Sequence, residues 1–74
     1  MLYFYEDKEQ IINALFQILK MTVAGVDLAE IEYRQLADGS ELAILIYDNG
    51  YRKPVNISCD SGVAMLRDIL RAID

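Results

Sequence analysis

Asp38-Gly39 and Asn49-Gly50 stand on either side of a run, Glu41–Tyr47, that is apolar at every position after Glu41. An aspartate or asparagine followed by glycine is a strong hairpin signal, because a two-residue type I′ loop needs positive φ at both central residues. Two such signals one strand-length apart predict an antiparallel meander. Its strands are expected over Leu28–Ala37, Glu41–Tyr47 and Tyr51–Ser58. Pro54 has no N–H for a central ladder, which makes the third strand an edge, the second strand central and the order 1-2-3.

Two-residue loops at both turns also predict the register. Ile46 then faces Lys53, Ile44 faces Val55 and Leu42 faces Ile57; across the other turn, Leu42 faces Gln35, Ile44 faces Tyr33 and Ile46 faces Ile31. Opposed residues share a face. The expected core face is therefore Ile31, Tyr33, Leu42, Ile44, Ile46, Val55 and Ile57.

Helices are expected on both sides of the meander. From Asp7 to about Met21, Ile11, Ile12, Leu15, Phe16, Ile18 and Leu19 repeat at helical spacing, with Asp7 as cap, Gln10 three residues on, and Gly25 as left-handed stop. From Ser61 to Ile73, Val63, Leu66, Ile69, Leu70 and Ile73 form an apolar stripe capped by Asp60 or Ser61. The expected fold class is α+β, in the order α-β-β-β-α, with both helices packed on one face of the sheet. Residues 1–74 are read as one compact domain, with Leu2–Tyr5 as a candidate extra strand.

Several chemistries lack the residues they need. The chain has no histidine and a single cysteine, Cys59. That removes histidine-based nucleophilic sites, tetrahedral zinc sites and any intrachain disulfide, and points to a reduced, cytoplasmic protein. No apolar run reaches membrane-spanning length, and the acidic Glu6-Asp7 follows Met1–Tyr5 where a signal peptide would continue its apolar core. No cofactor or metal is expected. The turn Cys59-Asp60-Ser61-Gly62 reads as a helix cap, and whether Cys59 is reactive stays open. Asp48-Asn49-Gly50 lacks the further ligands of a calcium loop, and Glu30 with Glu32 lacks the cleft that paired catalytic carboxylates require.

Charge narrows the partners. Net charge is −5, with seven basic and twelve acidic residues. Residues 1–50 carry the acidic excess; Arg52, Lys53, Arg67 and Arg71 tip residues 51–74 slightly basic. Direct binding to nucleic acid needs clustered cations, so a protein with a basic surface is the expected partner.

The face of the sheet opposite the expected core carries Glu30, Glu32, Arg34, Leu36, Ala43, Leu45, Tyr47, Arg52, Pro54 and Asn56. Its centre, Ala43, Leu45, Tyr47 and Pro54, is apolar; its rim, Glu30, Glu32, Arg34 and Arg52, is charged. That is the anatomy of an interaction site, and these eight residues are the candidate partner-binding set, with Tyr47 as the expected hot spot. An ordinary half-exposed sheet face, a homodimer interface and a surface for another protein all fit this pattern.

The element order resembles that of double-stranded-RNA-binding domains. Ser61-Gly62-Val63-Ala64-Met65 has none of the lysines with which their second helix begins, so RNA binding is not implied. Size, acidity and lack of histidine are similar to small phage-encoded inhibitors of bacterial defence systems, the anti-CRISPR type included. That resemblance implies a non-enzymatic inhibitor that docks on a host protein. The alternative is a structural homodimer or accessory subunit built on the open sheet face.

Overall fold

The computed structural model describes residues 7–73. The elements run α1 (Lys8–Leu19), β1 (Leu28–Gln35), β2 (Glu41–Tyr47), β3 (Arg52–Asn56) and α2 (Gly62–Ile73). The strands form one antiparallel sheet in the order β1-β2-β3, as Pro54 requires. The candidate strand at Leu2–Tyr5 lies outside the described residues.

Both helices pack on the same sheet face. One buried cluster joins Ile12, Leu15 and Leu19 of α1, Leu28 and Ile31 of β1, Ala43 and Leu45 of β2, Ile57, and Met65 and Ile69 of α2.

The register departs from expectation by one residue at both turns. Ile44 lies opposite Glu32 and Pro54, and Leu45 lies opposite Ile31 and Lys53. The reason is the loops. The Leu36 N–H donates to the Ser40 carbonyl at 2.8 Å and the Gly39 N–H to the Leu36 carbonyl at 3.0 Å. The Tyr47 N–H donates to the Tyr51 carbonyl and the Gly50 N–H to the Tyr47 carbonyl, both at 2.9 Å. Each loop therefore holds three residues, a tight turn closed by a left-handed glycine. Positive φ falls on Gly39 (91°) and Gly50 (88°), and not on Asp38 or Asn49. Those two side chains instead accept the N–H two residues on, Ser40 and Tyr51, at 2.9 Å each.

The extra residue in each loop turns β2 over. Ala43 and Leu45 point into the core, and Leu42, Ile44 and Ile46 point away from the helices. In β1, Ile31 keeps its expected inward position, and a bulge between Leu28 and Glu30 lets Leu28 turn inward as well. Polar groups at the margins of the inner face find partners. Glu41 pairs with Lys8 at 2.7 Å and accepts the Tyr33 hydroxyl at 2.6 Å; Lys53 donates to the Ala72 carbonyl at the C-terminus of α2 at 2.9 Å.

Helix α1 is capped by Asp7, which accepts the Gln10 N–H, but ends before Met21. Thr22 stops it: its N–H and its hydroxyl both reach the Leu19 carbonyl, at 2.9 and 2.7 Å. Gly25 is not left-handed. It serves instead as a close-contact position, since a Cβ there would clash with the Leu19 carbonyl oxygen. Ser61, whose hydroxyl accepts the Ala64 N–H at 3.2 Å, begins α2.

Candidate interaction surface

The open sheet face carries Glu30, Glu32, Arg34, Arg52 and Pro54, as expected. It does not carry Ala43 or Leu45, which are both 0% exposed beneath the helices. Tyr47 also belongs to the helix side, half-buried, its ring 5.8 Å from that of Tyr51. Two-residue loops would put all three on the open face, and the three-residue loops move them off it. The residues that replace them are Leu42, Ile44 and Ile46. Nothing in the β2 sequence alone distinguishes the two sets, because both are apolar.

The corrected face keeps the expected anatomy, an apolar centre inside a charged rim. Leu42 and Ile46 are half-buried and Pro54 is exposed. Ile44 is only 7% exposed and lies outside the cluster that the two described helices form with the sheet. Glu32 of β1 and Pro54 of β3 flank it on either side. Glu32 accepts from Arg34 at 2.6 Å and from Arg52 at 3.3 Å, so one carboxylate holds a guanidinium on its own strand and another on β3. Strands β1 and β3 are roughly 10 Å apart, twice the inter-strand spacing, so the Glu32–Arg52 contact must arch over β2. The Arg34 hydrogen bond, before any other influence, holds the Glu32 carboxyl below its ordinary value.

This network changes the electrostatic reading of the rim. Glu32 is neutralised locally by two arginines, so the acidic field comes from elsewhere. Glu9, Asp27, Glu30 and Asp48 are exposed and make no ion pair among the described residues. Asp27 and Asp48 meet at one end of the sheet, where the Asp48 N–H donates to the Asp27 carbonyl at 2.9 Å.

Cys59 is exposed and left-handed, φ 63°. The neighbouring Asp68 carboxyl, and then burial, push the Asp60 carboxyl above its ordinary value. Asp60 Oδ2 is buried and accepts no hydrogen bond from a described residue. No three candidate metal-ligating side chains cluster among the described residues. No described helix is long and apolar enough to cross a membrane.

No protein-family model, curated protein or solved structure matches the chain.

Proposed function

We propose that the chain is a non-enzymatic protein-binding module that docks through the open sheet face on a partner with a basic surface. The observation that carries this reading is the Leu42–Ile44–Ile46 stripe. Three branched apolar side chains occupy the centre of a sheet face that neither described helix covers, with Arg34, Arg52 and Glu30 around them. An apolar centre with a polar rim is how protein interfaces are organised, and arginine is enriched in them. The carboxylates Glu9, Asp27, Glu30 and Asp48, which make no ion pair among the described residues, would steer the encounter with a cationic partner.

Inhibition follows if the partner's basic surface normally holds nucleic acid, because occupying it excludes the natural ligand. That is the role expected of a phage or mobile-element inhibitor of the anti-CRISPR-like class. The alternative, a homodimer or accessory subunit, uses the same face.

Photo-crosslinking from position 46, in the cells that produce the chain, tests the proposal. The expected product joins this chain to a different protein, at a peptide rich in lysine and arginine. Crosslinks from position 46 to a second copy alone would overturn it in favour of the homodimer.

A further inference from the structure

Helix α2 carries a wider apolar surface than the core buries, with Leu66 at the border between the two. Met65 and Ile69 are fully buried against the sheet. Val63 and Leu70 point outward, 67% and 46% exposed, with half-buried Leu66 between them. The spacing i, i+3, i+7 makes these three a second stripe. They line a groove of about 410 Å³ whose other walls are Arg67 and Arg71. Leu66 is shared with a second hollow, of about 220 Å³, against Ile18 and the neighbouring turns of α1. The trough therefore extends over the surface where α1 and α2 meet, on the side away from the sheet.

Its charge runs against that of the chain. Arg67 and Arg71 stand one helical turn apart on the same rim, and neither lies within 4.0 Å of a carboxylate among the described residues. At physiological salt the Debye length is about 8 Å. A ligand in the groove would meet these two guanidinium groups at its rim; of the carboxylates that make the net charge −5, Asp60 is near enough to Arg67 for their charges to interact. The slight basic excess of residues 51–74 is thus presented in part beside an apolar trough.

We infer that this groove docks an acidic amphipathic helix of another protein. Leucine-type anchors at i, i+3 and i+7 would enter the trough, as in helix-in-groove recognition, and carboxylates along one flank would meet Arg67 and Arg71. The run from Val63 to Leu70 is roughly 10 Å long, which matches two turns of such a helix. A second copy fits less well: an isologous contact would bring the Arg67–Arg71 rows of both copies into one patch. Two arginines are also too few for a nucleic-acid surface.

The test is NMR on the full ¹⁵N-labelled chain, titrated with a designed helical peptide of roughly 18 residues, long enough to hold some helix alone. One peptide carries leucines at i, i+3, i+7 with flanking glutamates; its control has lysines for the glutamates. The glutamate peptide is expected to shift the signals of Val63, Leu66, Leu70 and Ile18. Its affinity should fall about tenfold or more in Arg67→Glu/Arg71→Glu, a variant of two exposed residues whose unchanged spectrum elsewhere reports an intact fold. Three results would overturn the inference: no shifts on α2, equal binding of both peptides, or groove signals that move with chain concentration before any peptide is added.

Discussion

Glu32 on β1 and Arg52 on β3 are joined across the central strand, Oε1 to Nη2 at 3.3 Å, on the side of the sheet that carries Ile44 and Ile46. Exposed ion pairs add little to stability. This one matters for presentation: together with the Glu32–Arg34 pair it places two arginines beside an apolar stripe.

Acid should weaken the fold through its depressed carboxylates. The Lys8 hydrogen bond first, and the Tyr33 hydroxyl second, hold the Glu41 carboxyl below its ordinary value of 4.5; Arg34 does the same for Glu32. A depressed folded value means the contribution is present above pH 4.5 and is lost as pH falls through the folded value. Carboxyl-resolved NMR titration should place both groups below 4.5. Finding Glu41 at an ordinary value would remove the Lys8 contact from the account.

Asp60 has the opposite sign. Its raised value means the folded state holds a proton more tightly, so its contribution is complete below pH 3.8 and is lost as pH rises through the folded value. At neutral pH its carboxylate faces Asp68 with no donor to Oδ2 among the described residues. Asp60→Asn should therefore raise the melting temperature at pH 7 and leave it nearly unchanged at pH 3. A lower melting temperature at pH 7 would show that the Asp60 charge has a favourable partner.

The two possible registers predict opposite results on β2. Leu45 is fully buried, so Leu45→Ala should cost about 2–5 kcal/mol in chemical denaturation. Ile46 is half-buried on the open face, so Ile46→Lys should keep the fold and lose partner binding. If Ile46→Lys unfolds the chain while Leu45→Ala is tolerated, β2 faces the other way.

Gly25 should tolerate no side chain. The contact between its missing Cβ and the Leu19 carbonyl involves backbone, which cannot swing aside. Gly25→Ala is expected to cost about 1–3 kcal/mol, the usual range for overpacking. A melting temperature equal to that of the wild type would mean that the α1–β1 connection is looser than its hydrogen bonds imply.

These comparisons show where sequence reasoning succeeds and where it stops. Pro54 and the two glycine turns carried the strand order, because each acts through a local backbone rule. Ile31, Tyr33 and Val55 were placed on the correct face, because the polar residues beside them in β1 and β3 leave no other choice. Strand β2 has no such contrast. Leu42, Ile44 and Ile46 are as apolar as Ala43, Leu45 and Tyr47, and the loop length alone decides between them. Asp-Gly and Asn-Gly also suit the three-residue loop, where the glycine takes the left-handed position and the Asx side chain caps the next turn of chain. Two errors of one residue in the same direction left the turns in mutual agreement, so their agreement could not expose the slip. The Gly25 contact and the Glu32–Arg52 bridge are long-range in space and had no local signal.

Static light scattering across a concentration series tests most directly whether the Leu42–Ile44–Ile46 face is free for a different protein. The account predicts a mass of 8.4 kDa that holds as concentration rises, with Ile46→Lys giving the same value. A stable species of twice that mass, returned to 8.4 kDa by Ile46→Lys, would contradict it and make the open sheet face a homodimer interface.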